Sequence, residues 1–355
     1  MTKKRILSYD VIRIVAALAV VMVHIAEPFI SRTEIGSAEY VTGNVFGAAS
    51  RIGVQMFVML SGALTLREER EYTFVTMRRS IGNLLFLLAV WSFVYAVVQP
   101  LSFGYELSFE VAVERFFTGH FHLWYLFMLI GLHLITPILR TFVKKENKKY
   151  VGYYILLAAI FTFAAPLLQF FYTELGGNKE WIATYPRKFQ IGILGNYIAY
   201  YLLGWYLTTV ELTKKARYLI YGAGALGFAV TVGGSLYYSE GSVRASEVFF
   251  HNFTLNVMLM SVAVFVFLLY LLRERQISAL WTKVITRLSG LTFGVYVLHL
   301  YVMSLLARMI PDLFAFGTLS APALVLCRWM ATVVVSFLAV YLLSKIPIVK
   351  QTVKS

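Results

Sequence analysis

Apolar runs of about twenty residues recur along this chain, each bounded by a short cluster of charged or turn-forming residues. Ten runs stand out, at roughly 6–27, 45–66, 80–100, 121–141, 150–171, 191–211, 217–238, 249–272, 284–309 and 321–346. Each is long enough for a helix to cross a hydrocarbon layer about 30 Å thick. Backbone amides there have no water to bond, so the pattern predicts helices. The expected fold is an all-α polytopic membrane helix bundle of about ten transmembrane helices. The longest breaks on one side, 27–44, 99–120 and 172–190, are about 20 residues each, too short for a second folded unit. A single membrane domain over 1–355 is therefore expected. The first run follows basic residues as a signal peptide would. It contains Asp10 and Arg13 and lacks a small-residue cleavage site, so it is expected to stay as a span.

Composition agrees: 59% of residues are hydrophobic and 14% charged, with a mean hydropathy of +0.72. A net charge of +14 would suggest nucleic acid in a soluble protein. Here the basic residues crowd short loops instead. Of 32 lysines and arginines, 22 fall on the side of the termini, seven on the opposite side, and three (Arg13, Arg51, Arg328) within spans. That asymmetry places both termini in the cytoplasm and makes nucleic acid an unlikely partner. The opposite face is mildly acidic, so a polyanionic ligand would approach from the cytoplasmic rim. Cys327 is the only cysteine, which excludes a disulfide framework and a cysteine-rich metal site. No metal is expected.

Ionisable groups inside a span are costly and usually carry a task. Arg13 and His24 share the first run, eleven positions apart, which is three helical turns plus about 20°. One face therefore holds both, separated by about 16 Å of rise. A guanidinium suits phosphate, and a neutral imidazole can take a proton near neutral pH. The pair could bind an anionic donor and activate an acceptor. Asp10, three residues before Arg13, could neutralise or orient it, and a purely structural ion pair with Arg13 snorkelling to water is the simpler reading. His133 is expected to be a satisfied core residue, and Arg51 and Arg328 to sit in intramembrane ion pairs or meet an anionic acceptor.

The segment Ser8-Tyr-Asp-Val-Ile-Arg13 through Val-Val-Met-Val-His24 resembles the opening signature of the acyltransferase 3 family of bacterial membrane proteins, where an Arg and a His separated by ten intervening residues form a functional motif. Three further blocks are similar to that family in the same order: Gly53-Val-Gln-Met-Phe57 through Ser61-Gly62, His122-Leu-Trp124-Tyr-Leu126 with Thr136-Pro137, and Gly294-Val-Tyr296-Val-Leu-His299. The stretch around Trp124 looks most like members that O-acetylate surface polysaccharide or its lipid-linked precursors. The resemblance implies an enzyme of the bacterial plasma (inner) membrane. Acetyl-CoA or another acyl-CoA would be a donor substrate taken from the cytoplasm, with no permanently bound cofactor. The acceptor would be a carbohydrate or glycolipid at the external face, and membrane lipids would surround the chain.

On this reading Arg13 grips a donor phosphate, and about 16 Å is comparable to an extended pantetheine arm, so the thioester would reach His24. His24 then acts as general base or as a transient acyl carrier; the sequence leaves both open. Family members often carry Arg-x-x-Arg at the cytoplasmic start of the third span. This chain has Arg78-Arg79 instead, so a diffuse electrostatic role toward the nucleotide is what carries over. His122 and Trp124 leave the fourth span at the external interface, where a Trp is also an ordinary belt residue. Tyr296 and His299 share a face near the depth of His24, and Ser61 is a lining residue, since no Gly-x-Ser-x-Gly elbow surrounds it. The His-x4-Asp signature of glycerolipid acyltransferases and the Walker A motif are both missing. The competing reading is a polysaccharide or small-molecule exporter, which commonly shows inverted repeats that are not found in this sequence.

Overall fold

The computed structural model describes residues 6–178, 188, 195–273 and 277–353. Residues 191–194 of the expected sixth span lie outside the described residues, as do the loop charges Lys3, Lys4, Arg5, Lys179, Arg187, Arg275 and Lys354. All the regular elements described are helical. We label them α1 (Leu7–Ser31), α2 (Ala38–Ser50), α3 (Gly53–Thr65), α4 (Phe74–Ser102), α5 (Phe109–Thr118), α6 (Trp124–Phe142), α7 (Lys145–Glu174), α8 (Tyr197–Thr209), α9 (Lys214–Ser239), α10 (Leu255–Leu271), α11 (Ala279–Ser289), α12 (Thr292–Met309), α13 (Ala321–Leu343) and α14 (Pro347–Val353). Among the described residues nine segments are long and apolar enough to cross a membrane: α1, α2 with α3, α4, α5 with α6, α7, α9, the α10 region, α12 and α13. The protein is thus a polytopic membrane bundle, and large apolar side chains such as Ile138 (64% exposed) and Leu338 (56%) point outward, where lipid is the solvent.

Three expected boundaries move. The second crossing starts at Ala38 and breaks at Arg51–Ile52 into two 13-residue helices. The expected ninth span, 284–309, is two elements: α11, which is mostly exposed, and α12, which begins at Thr292 after a turn at Gly290–Leu291. Lys283 and Arg287 on α11 explain the division, because they keep that stretch at a polar surface. The sixth crossing is represented by α8, whose 13 residues rise about 20 Å. The start of α8 meets the start of α10, where Asn252 Nδ2 donates to the Tyr197 hydroxyl at 2.8 Å. Its end, Leu207 to Thr209, lies beside Ile6–Tyr9 of α1 and Leu269–Arg273 of α10. This short helix therefore joins the same two levels as its longer neighbours.

What lets α8 cross so centrally is a backbone-to-backbone contact with α3. A Cβ added at Gly62 would land on the backbone of Tyr201, and one added at Gly204 on the backbone of Met59. Lipid tails offer helices no hydrophobic drive to associate, so close packing of small residues has to supply it. The two glycines are reciprocal halves of one contact.

Arg328 is a structural residue. Its Nε donates to the Leu313 carbonyl at 2.8 Å and its Nη2 to the Ala315 carbonyl at 3.1 Å, and its guanidinium lies over the rings of Phe29, Phe314 and Phe316 at 4.8, 5.4 and 4.9 Å. Carbonyls and ring faces, in place of the expected carboxylate or anionic acceptor, satisfy this buried cation. Arg51 stands at the α2–α3 break with its guanidinium 5.0 Å from the Phe250 ring centroid.

Two stability predictions follow from these contacts. Gly204→Val is expected to cost about 1–3 kcal/mol by forcing α3 and α8 apart, read as a lower melting temperature in detergent; an unchanged melt would refute the close approach. Arg328→Met leaves the Leu313 and Ala315 carbonyls without their donor, at about 1–3 kcal/mol, and proteolysis near residue 314 should accelerate; an unaltered cleavage rate would contradict the tether.

Candidate functional site

Two cavities approach each other from opposite faces of the bundle. The inner one, about 710 Å³, opens between α3, α4, α6 and α12, and Arg13 of α1 is in its wall. Ser61 lines it too, its hydroxyl donating to the Phe57 carbonyl at 2.9 Å. Other polar groups there are Thr65, Arg70, Ser80, Asn83, His133 and, from α14, Gln351. Asp10, buried on α1, accepts a hydrogen bond from Ser289 Oγ at 2.7 Å. Arg78 and Arg79 are exposed on α4 and are not among the lining residues.

Arg70 occupies the place expected for them. It is held there by a cap on the end of α3: Arg140 donates to the carbonyls of Thr65, Arg67 and Arg70 at 2.8, 2.8 and 2.6 Å. Thr65 ends α3, where a carbonyl has no partner further along the helix, and a guanidinium complements the negative end of the helix dipole. Tyr72 completes the arrangement. Its hydroxyl is 2.8 Å from His133 Nδ1, and its ring stacks on that imidazole. Desolvation raises the Tyr72 phenol above its ordinary range, and the hydroxyl donates to the His133 carbonyl at 3.4 Å. His133 is therefore not the core residue expected, but a half-buried part of the cavity wall.

The inner cavity ends at Tyr125 and Tyr296, both buried, with ring centroids 5.3 Å apart. Immediately beyond them lies a layer of imidazoles. His24 and His299 have centroids 5.2 Å apart, and His122 and His299 5.7 Å. The Tyr296 hydroxyl donates to the His122 carbonyl, and Phe121 packs edge-on to His24 at 5.6 Å. The expected similarity in depth of His24 and His299 thus corresponds to direct ring contact.

Backbone carbonyls assign the protons in this layer, because a carbonyl only accepts. His299 Nδ1 is 2.6 Å from the Tyr296 carbonyl and so carries hydrogen, leaving Nε2 as a lone pair. That Nε2 is buried and has no hydrogen-bond partner among the described residues. His122 Nε2 donates to the Val297 carbonyl at 3.3 Å, so its Nδ1 accepts from His120 Nδ1, 2.7 Å away. His120 Nε2 is then a lone pair as well. His24 makes no hydrogen bond with the described residues, its ring being fixed by aromatic contact alone.

The outer cavity, about 1030 Å³, is walled by α4, α5 and α12 and includes His120 and Phe121. A π-helical turn at Val94–Val98 re-aims Tyr95 into the layer: its hydroxyl donates to the Val297 carbonyl at 2.8 Å, and its ring stacks on His120 at 4.4 Å. Gly119, at φ +71°, is the left-handed residue that turns the chain from α5 back to His120. Trp124 is outside this wall and packs on Tyr197 at 5.3 Å.

Of the residues singled out in the sequence, the structure brings Arg13, Ser61 and Tyr296 to one cavity, and His24, His122 and His299 to one layer. Sequence reasoning missed His120, Tyr95 and Arg70. His120 carried a usable signal, standing two positions before His122 in a turn. The π-helical turn that recruits Tyr95 left none in the local pattern.

A chain of this architecture, with an arginine-lined inner cavity facing buried imidazoles, suits transfer of a group from a phosphate-bearing donor. Comparison with known proteins gives a specific match: the family model described as an acyltransferase domain aligns with residues 6–345. No curated relative and no solved structure matches the chain. The protein therefore belongs to the acyltransferase 3 family of membrane acyltransferases, enzymes that transfer groups other than aminoacyl groups.

Proposed function

We propose that this acyltransferase carries an acyl group, in the simplest case acetyl, from acyl-CoA at the cytoplasmic face to a carbohydrate hydroxyl at the external face of a bacterial plasma membrane. The observation that carries the reading is a layer of imidazoles standing between an arginine-lined inner cavity and the outer cavity that His120 lines. Arg13 and Arg70 suit the phosphates of the nucleotide end, and Arg78 and Arg79 add charge at the rim the donor approaches. About 16 Å of α1 separates Arg13 from His24, which matches an extended pantetheine arm. The thioester would then lie against Tyr125 and Tyr296.

An imidazole lone pair takes the proton of the acceptor hydroxyl as its oxygen attacks the thioester carbonyl carbon. The new C–O bond forms, the C–S bond breaks, and the imidazolium returns the proton to the departing thiolate of CoA. His24 is the base in this scheme because no group among the described residues hydrogen-bonds it, and the ring of His299, whose Nε2 is also uncommitted there, lies 5.2 Å away between centroids. His122 and His120 position the layer through their carbonyl-anchored chain. Burial keeps competing water from the thioester. The exporter reading requires a path for a glycan, whereas Tyr125, Tyr296 and the imidazoles stand between the two cavities.

With purified protein in liposomes and labelled acetyl-CoA, His24→Ala is expected to lower transfer about 10²–10⁴-fold with CoA affinity unchanged. Arg13→Ala and Arg70→Gln are expected to weaken CoA binding about tenfold or more, the effect of losing a charge-assisted hydrogen bond. Full turnover in His24→Ala removes the base assignment. Export of an oligosaccharide without any acyl-CoA binding establishes the competing function.

A further inference from the structure

The outer cavity has a charge character that acyl transfer to a neutral sugar does not require. Of the seven basic residues assigned to the external side, Arg115 and Arg308 both lie in this one wall. Elsewhere that face is mildly acidic. Neither arginine forms an ion pair among the described residues, and Glu106 is the only carboxylate in the lining. Arg308 is held in place: its Nη1 donates to the Phe103 carbonyl at 2.6 Å, and its guanidinium lies 5.5 Å from the Phe103 ring centroid. One of its five donors is thus committed and the others have no partner among the described residues. Arg115 sits in the last turn of α5, four residues before the Gly119 turn that delivers His120.

We infer that the acceptor is an anionic glycan, whose carboxylate or phosphate group is read by Arg115 and Arg308 while a neighbouring sugar hydroxyl reaches the imidazole layer at His120. Planar guanidiniums bind either anion with paired hydrogen bonds. Phe103, Tyr105 and Phe121 supply ring faces for sugar stacking in the same wall. A cavity of about 1030 Å³ accommodates a short oligosaccharide segment. Glu106 discriminates by sign, opposing an anion while accepting from hydroxyls. The inference rests on the acyl-transfer reading for its meaning, but its binding chemistry can be measured without donor.

Matched oligosaccharides, one neutral, one bearing a uronate and one bearing a phosphodiester, are titrated against the full-length protein in nanodiscs without acyl-CoA. Binding of at least one anionic ligand is expected to be about tenfold tighter than the neutral one and to weaken with salt. Arg115→Gln and Arg308→Gln should each reduce that preference about fivefold and leave neutral binding unchanged, Arg308→Lys should restore part of it, and Glu106→Gln should strengthen it. Arg115→Gln guards against misfolding, since this exposed side chain has no partner to lose among the described residues. The anionic ligand with the larger arginine dependence identifies the source of the charge. Equal affinity for neutral and anionic ligands, or a preference insensitive to both arginines, overturns the inference. Thioester turnover with acetyl-CoA is measured in parallel: if it persists and depends on His24, acyl transfer stands even where the anionic acceptor fails.

Discussion

The hydrogen bond from His299 Nδ1 to the Tyr296 carbonyl is the interaction on which the site depends. In a helix that carbonyl already serves the backbone, and its second lone pair takes the imidazole N–H. The cost of an unmet polar group in an apolar interior is several kcal/mol, so the ring has little freedom to exchange tautomers. Nε2 is thereby left as a lone pair in the layer. The same logic runs through His122, whose N–H is spent on the Val297 carbonyl and whose other nitrogen accepts from His120. Tyr95 donates to that Val297 carbonyl too, so one turn of α12 organises three aromatic groups, His120, His122 and Tyr95, from two other segments.

This organisation explains why the helices around it are irregular. The π-helical turn in α4 and the left-handed Gly119 deliver Tyr95 and His120 to their partners, at places where regular helices would carry them past. The Gly62–Gly204 contact draws α3 close to α8, and α3 supplies the inner cavity with Ser61 and Thr65. Arg140 then fixes the loop after α3 through three carbonyls, which sets Arg70 at the cavity's edge. Each departure from regular geometry is matched by a hydrogen bond or a close contact that uses it.

Much of this was legible in the chain itself. Hydrophobic period and length give the crossings, and the distribution of lysine and arginine gives their alternation, because both follow from the cost of polar groups in hydrocarbon. Arg13 and His24 could be placed on one face since α1 is uninterrupted from Leu7 through Ser31. The short α8 was visible as an apolar run, but its packing depended on a glycine 142 positions away in α3, which no local pattern reveals. Arg328 looked like a functional cation; its true partners are carbonyls just after Asp312 and three rings, which depend on how the external turn folds back. Arg70 was hidden for a related reason. It sits in a charged loop among topogenic residues, and only the cap made by Arg140 sets it apart from Arg78 and Arg79.

The central claim is that a donor entering from the basic face places its reactive end against an imidazole layer that the acceptor meets from the other side. The most direct measurement is a cryo-electron microscopy map of the protein in nanodiscs with a non-transferable acyl-CoA analogue. The account predicts nucleotide density beside Arg13 and Arg70, and the thioester-equivalent carbon between Tyr125, Tyr296 and His24. Nucleotide density in the outer cavity, or an acyl end directed away from the imidazoles, would contradict it.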